Sequence, residues 1–403
     1  MESLLGKIKS EYALYPKEVL AEIGSSKKSL FIGIPKETDY QEKRIALTPN
    51  SVAALVNYGF RISIEKDAGI NANFSNEEYL QAGADIVFNK EDVFKADTII
   101  KSGPINPTEV SLLHSHQIIL SPILLPIQTK SMIKSMMEKR TTAIAFEYVK
   151  GDYGSSPFMR SMSEIAGSYA ITTAARYLSN EYGRGVLLGG IAGQPPAKVI
   201  IIGAGTVAES AARAALALGA IVQVFDNNIY RLSRLQNDLG NKIYTSVIDP
   251  INLAKNISRA HVVIGALKPK NGKTPVVVTE DMVRSMKKDS VIIDVSIDQG
   301  GCFETSKVTN HNEPVYTKHG VIHYCVPNIA SNVSRTASYA LSNILSPILK
   351  NAADAGCFEN LLKYDDGLRK GAYLYKGALT KEFIAQKFDL KFTDLELLLS
   401  ADF

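Results

Sequence analysis

The sequence predicts an α/β protein of two doubly wound units joined by two long helices, and three observations carry that expectation. Short β-rich runs alternate with helical stretches from Leu30 onward. A buried apolar run, 198–202 (KVIII), leads into a glycine turn that opens an Ala-rich helix. Two long helical stretches, 163–180 and 335–350, flank that second unit. Strand–helix alternation implies parallel strands with helices over them, because a parallel neighbour is reached only through a crossover.

In the first unit, 30–34 (LFIGI) reads as a strand. Residues 51–58 (SVAALVNY) read as a helix, with Pro49 near its start and Gly59 closing it. The period-two run 61–65 (RISIE) is a strand. Residues 76–81 (NEEYLQ) are a helix capped by Ser75 and ended by Gly83. Strands at 86–88, 97–101, 117–120 and 142–148 then alternate with helices at 91–95, 108–113 and 130–139. The second unit has strands at 198–202, 221–225, 261–265, 290–294 and 321–325, and the tail 351–403 reads as mostly helical. If the tail packs back on the first unit, that unit is discontinuous: residues 1–160 and 336–403 form one domain and 161–335 the other.

A chain of 403 residues is long enough for about two domains. Hydrophobic residues at 45% and charged residues at 21% argue against disorder. A net charge of +4, dispersed along the chain, argues against a nucleic-acid partner. No apolar run is long enough for a membrane span, and 118–127 is broken by Ser121, Pro122 and Pro126. The start MESLLGKIKSEYALYPKE has no apolar signal core. Cys302, Cys325 and Cys357 are odd in number and far apart, which points to free thiols and a cytoplasmic, reducing setting. The absence of any CxxC pair argues against structural zinc.

The stretch KVIIIGAGTVAESAARAALALGAIVQVFD, 198–226, orders strand, turn, helix, strand and acid as a dinucleotide site requires. Gly203 permits the tight turn, Gly205 lets a pyrophosphate approach the backbone, and Ala208 keeps helix and strand close. The helix opening at Thr206 and Val207 offers free N–H groups to phosphate. Asp226 is placed to accept ribose hydroxyls. Its charge would repel a 2′-phosphate, which favours NAD over NADP. Arg231 lies either against the adenine or in solvent.

A second cluster follows two later strands. In VIIDVSIDQGGCFETS, Asp298 stands in a loop beyond a strand end, where doubly wound folds hold ligands. It is either a functional carboxylate or a cap for the turn before Gly300 and Gly301. Cys302 reads as a small buried apolar residue rather than a nucleophile. In YCVPNIASNVSRT, Asn328 either hydrogen-bonds the nicotinamide end of the cofactor or stabilises its own turn.

These motifs, together with IGIPKETDYQEKRIALTP, FSNEEYLQAGA, MSEIAG, GRGVLLGGIAGQPP and YLYKGALTKEFIAQKFDL, resemble alanine dehydrogenase over nearly all of residues 30–400. The NAD(H)-binding subunit of proton-translocating transhydrogenase shares part of the pattern. The resemblance implies a Rossmann NAD-binding domain beside a discontinuous flavodoxin-like substrate domain. It implies reversible oxidative deamination of L-alanine, or a similar small amino acid, to pyruvate and ammonia with NAD, in a homo-oligomer that is a hexamer. By motif, Arg44 would grip the substrate carboxylate, a role suited to a guanidinium fork. Lys101 would contact the carboxylate or carbonyl, and Asp298 would orient the amino group and the reacting water. Ser163, Thr206, Val207, Asp226, Arg231, Leu267, Lys268, Asp298 and Asn328 match cofactor-contacting positions. No metal is implied.

One departure stands out. The family's catalytic histidine falls at Leu124, in LSPILLPIQ. Leucine transfers no proton, and general acid–base catalysis is worth roughly 10²–10⁴-fold. Four readings follow from this: Lys101, its pKa lowered by burial and by Arg44, takes over; the substrate is a different one with a more apolar side chain; the chain is a weakly active or silent homologue; or it is a transhydrogenase-like hydride-transfer component. His114 and His116 lie just before the strand and read as surface residues. Residues 1–29 precede the family's usual start and read as either a helix packing on a neighbour or a lid.

Overall fold

A computed structural model describes residues 30–39, 41–240, 242–268 and 273–401. The expectation for 1–29 lies outside the described residues. The strands are β1 (Phe31–Ile34), β2 (Arg61–Glu65), β3 (Asp85–Val87), β4 (Thr98–Ile100), β5 (Ile118–Ser121), β6 (Thr142–Ala145), β7 (Lys198–Ile202), β8 (Ile221–Phe225), β9 (Tyr244–Ser246), β10 (Val262–Gly265), β11 (Val291–Asp294), β12 (Val315–Lys318), β13 (Val321–Tyr324), β14 (Ala372–Tyr375) and β15 (Ala378–Leu379).

They form two sheets, β15-β14-β6-β5-β4-β1-β2-β3 and β12-β13-β11-β10-β7-β8-β9. The parallel part of each runs 3-2-1-4-5-6 in its own strand sequence, the doubly wound order of dinucleotide-binding folds. Without β3, the first sheet has the flavodoxin-like order 2-1-3-4-5. Central strands are buried on both faces: Val199, Ile200, Ile201 and Ile202 are all fully inaccessible, as helices on either side of a parallel sheet demand.

Sequence patterning located most elements to within a few residues. The helix Asn76–Gln81 has its capping box: Glu78 N–H donates to Ser75 Oγ while Ser75 N–H donates to the Glu78 carboxylate. The long helix expected from residue 163 starts at Pro157 and runs to Leu178; proline suits the first turn, whose N–H has no helical partner. The tail required more correction. It holds four helices, but also the hairpin β14–β15, which pairs antiparallel with β6 and completes the first sheet. The second long helix, Ser334–Asp354, runs from the end of β13 toward that sheet. Its Leu341, Leu345 and Leu349 share a core with Ile32 and Ile34 of β1 and with Phe358 and Leu362 of the tail.

Candidate active site

Each sheet has a switch point where consecutive crossovers diverge: between β1 and β4 in the first sheet, and between β7 and β10 in the second. Ligands bind in the crevice beyond the strand ends at such points. The loop after β1 carries Glu37, Glu42 and Arg44, and Lys101 follows β4 directly. In the second sheet, β7 leads into Gly203–Gly205, β10 into 266–268, β11 into the turn Val295–Gln299 and β13 into Asn328.

The cofactor half is built by the glycine turn. Gly203 has φ +115°, and a Cβ there would lie 2.3 Å from the Ala266 carbonyl oxygen, so no other residue fits. Gly205 caps the helix Thr206–Ala217, and a Cβ on it would meet nothing within 4 Å. That open space at a helix N-terminus is what a pyrophosphate requires. Ala208 is fully buried against the sheet. Asp226 accepts N–H bonds from Ala204 at 2.8 Å and Asn228 at 2.7 Å. Its oxygens thus lock the glycine turn and retain lone pairs for a ribose diol. A compartment of about 540 Å³ is lined by Gly205, Asp226, Arg231, Leu267 and Lys268. These residues fit a dinucleotide.

The compartment continues into a second cavity of about 440 Å³ that shares Gly205, Leu267 and Lys268 with it. This cavity is also lined by Arg44, Met162, Ser163, Thr206, Val207, Asp298 and Asn328. The structure therefore brings every sequence-derived cofactor position except Gly203 and Ala208 to the wall of one continuous cleft. Those two shape the turn from behind.

Arg44 is held by Glu42. Its Nε donates to Oε1 at 2.7 Å and its Nη2 to Oε2 at 2.5 Å, a two-pronged pair. Its Nη1 edge rests on Met162 Sδ at 3.0 Å. A thioether is a weak acceptor, so this is the edge that an incoming carboxylate can claim. Burial alone would raise the Glu42 carboxyl, but the Arg44 guanidinium and the amide of Asn328 hold it at about 2. Asn328, at φ +52°, donates its side-chain amide to Glu42 at 2.9 Å and its backbone N–H to Asp298 at 3.0 Å. Asp298 reaches into the open cleft yet is ringed by protein atoms. That enclosure raises its carboxyl, against the pull of the Asn328 N–H and of Arg44. Asp298 thus lines the cleft and is tied to Arg44 through two residues, Asn328 and Glu42.

Lys101 departs from expectation. It is 1% exposed and its Nζ is paired with Glu109 at 2.7 Å and Glu37 at 3.0 Å. Burial would lower its pKa, but the two carboxylates outweigh this and raise it. It keeps its proton, so the expectation of a depressed pKa is corrected. Glu37 stands between, close enough to act electrostatically on Arg44. Cys302 is fully buried and its thiol is pushed far up, chiefly by burial, as befits a packing residue.

Sequence reasoning passed over Glu42, Glu37, Met162 and Glu147. Glu42 had a usable signal, since it stands two positions before Arg44. Glu147 fixes the loop around Leu124: its carboxylate accepts the N–H of Ile123 at 3.0 Å and of Leu124 at 2.9 Å. Leu124 itself has φ +43°, ψ +62°, a conformation uncommon for leucine.

Comparison with known proteins agrees with this geometry. The family model described as alanine dehydrogenase/PNT, N-terminal domain, matches residues 33–166, and its C-terminal counterpart matches 170–382. The chain belongs to the alanine dehydrogenase/PNT family. Among its members, alanine dehydrogenase of Methanococcus maripaludis is 40% identical over 370 residues, 91% of this chain and 99% of that protein. Alanine dehydrogenase of Staphylococcus haemolyticus is 37% identical over 92% of this chain and 100% of its own length. A solved L-alanine dehydrogenase superposes with a TM-score of 0.83 at 37% identity, covering 89% of this chain and 99% of that one. A transhydrogenase from Sinorhizobium meliloti reaches 0.75 at 25% identity, covering 88% of this chain and 99% of that one. Both family units, and the cleft between their sheets, are thus present.

Proposed function

We propose that this chain is an NAD-dependent alanine dehydrogenase, interconverting L-alanine with pyruvate and ammonia. The observation that carries the reading is the continuous chain Arg44–Glu42–Asn328–Asp298, set beside the glycine turn. It places an anion grip and a carboxylate in one cleft with a dinucleotide site.

When bound, NAD accepts the hydride that leaves the substrate Cα. The protein's part is positional and electrostatic. The Nη1 edge of Arg44 takes the substrate carboxylate, exchanging a weak thioether contact for a charge-assisted one. Asp298 faces the amino group, offsets the positive charge of the imine carbon–nitrogen unit and orients the water that attacks it. Its raised carboxyl suits proton exchange nearer neutrality. Lys101 acts at one remove, paired with Glu37 and Glu109 behind the anion site. Asp226 anchors the ribose and disfavours a 2′-phosphate.

The domain division at 1–160 with 336–403 against 161–335 belongs to the same reading. It is supported by the two sheets and by the tail's place in the first core. So do a homo-hexameric assembly, tested by sedimentation, and a cytoplasmic location. Among the described residues no helix is long and apolar enough to cross a membrane.

The test is spectrophotometric. L-alanine and NAD at alkaline pH should generate NADH, and pyruvate with ammonia should consume it. Turnover confined to another small amino acid would change the substrate and keep the class. Tight NADH binding with no turnover of any amino acid would favour a transhydrogenase-like hydride-transfer component, a reading that Leu124 supports because it supplies no proton-transfer group.

A further inference from the structure

The loop that carries Arg44 poses an accounting problem. Residues 42–48 are neither helix nor strand, yet Ile45, Ala46, Leu47 and Thr48 are all buried. Buried N–H groups must find partners. The N–H groups of Ile45 and Thr48, and that of half-buried Lys43, find serines on the segment that leaves β13 and becomes the helix Ser334–Asp354. Ser331 Oγ accepts from Lys43 N–H at 2.8 Å, Ser338 Oγ from Ile45 N–H at 2.9 Å and Ser342 Oγ from Thr48 N–H at 3.1 Å. The N–H of Arg44 itself goes to Glu42 Oε1 at 2.9 Å.

All three serines are completely buried. Ser338 and Ser342 are one helical turn apart and share a face. Serine is an indifferent helix former, because its hydroxyl competes for backbone groups. Alanine would give a better helix here and leave no polar atom to satisfy. The hydroxyls are explained by the loop they hold.

We infer that Ser338 and Ser342, with Ser331, are positioning residues for Arg44. They fix the register of the anion grip against the helix that joins the two sheets. That helix begins just after Asn328, the residue that bonds Glu42 on one side and Asp298 on the other. The grip and the carboxylate are therefore referenced to one stretch of chain, 328–342. This inference rests on the substrate reading above and goes beyond it in naming what sets the geometry.

The experiment compares the full-length Ser338→Ala/Ser342→Ala protein, and the milder Ser342→Ala, with the wild type. The first readout needs no reaction: amide hydrogen exchange across 43–48 should accelerate in the ligand-free variants, while exchange in 206–217 stays as in the wild type. The second is kinetic: KM for pyruvate should rise about tenfold in the double variant. NADH affinity should stay within about twofold, because the two sites share no serine contact. In an Arg44→Ala background the same serine changes should add almost nothing to KM, since they act through Arg44.

Unchanged exchange at 43–48 would overturn the inference. So would a wild-type KM in the folded variant, or a KM increment that persists without Arg44. A merely structural role would lower the melting temperature and leave KM alone. If the wild type turns over no amino acid, the substrate reading has failed, and the exchange pattern alone decides whether the serines register the loop.

Discussion

Glu42 and Asn328 stand far apart in the sequence and meet at 2.9 Å, the Asn328 side-chain amide donating to Glu42 Oε2. This single bond joins the loop after β1 to the exit of β13, and with it the two sheets' ligand crevices. Glu42 is 5% exposed and serves Arg44, Asn328 and Ser331 together. Removing one partner of a buried pair strands the other's charge, which costs about 3–5 kcal/mol. Glu42→Gln should therefore lower the unfolding midpoint sharply and raise KM for alanine, because Arg44 loses the fork that aims it. Calorimetry and initial rates check this; a variant matching the wild type in both would refute the role.

The same carboxylate sets a pH dependence. Its folded pKa, about 2, lies below the ordinary glutamate value of 4.5. A depressed carboxylate contributes stability that is present above the unfolded pKa and disappears as pH falls through the folded one. That contribution is about 3 kcal/mol. Urea unfolding followed between pH 5 and the acid limit should show wild-type stability dropping through this window. Glu42→Gln should show a shallower slope there.

How far the sequence carries can be judged residue by residue. The nucleotide half was legible because its chemistry is local: Gly203, Gly205, Ala208 and Asp226 sit at fixed spacings in one strand–turn–helix–strand unit. The substrate half was not, because its partners come from distant segments. Nothing local to Lys101 announces that Glu37 and Glu109 will surround it, and for that reason burial suggested a lowered pKa where the structure gives a raised one. The hairpin β14–β15 escaped notice for a similar reason. Its strands are short, and their pairing with β6 lies more than two hundred residues away.

Asp298→Asn should separate binding from chemistry. Asparagine can still accept the Asn328 N–H through its carbonyl oxygen, so the turn Val295–Gln299 keeps its shape. What is lost is the charge that faces the substrate nitrogen. We expect kcat to fall by roughly 10²–10⁴-fold while NADH affinity, measured by fluorescence, stays near the wild-type value. A variant that loses NADH binding in parallel would place Asp298 in the cofactor site alone.

Lys101→Met removes the cation that Glu37 and Glu109 share. Lys90, 3.0 Å from Glu109, remains as partial compensation. We expect a stability loss of about 3–5 kcal/mol, as for other broken buried pairs. Because Lys101 holds its proton throughout, the pH profile of kcat in the folded variant should keep its shape. A profile that loses one limb would restore Lys101 as a proton-transfer group.

Leu124 offers the converse experiment, a gain of function. Its backbone is already in the left-handed region at φ +43°, ψ +62°, held there by the Glu147 carboxylate on its N–H. Leucine is poorly suited to that conformation, whereas histidine is several-fold enriched in it among non-glycine residues. The side chain is 41% exposed, so a ring fits without displacing core. Leu124→His should therefore fold at least as stably as the wild type, and it should supply a proton-transfer group that leucine lacks. General acid–base assistance is worth about 10²–10⁴-fold when fully aligned. Even partial alignment should raise kcat severalfold and introduce an ionisation near the ordinary histidine range into the pH–rate profile. The rate against pH for both proteins decides it. If kcat and profile stay unchanged in a well-folded Leu124→His protein, proton transfer in this enzyme is served from elsewhere in the cleft, and Asp298, the carboxylate already raised there, becomes the group to titrate.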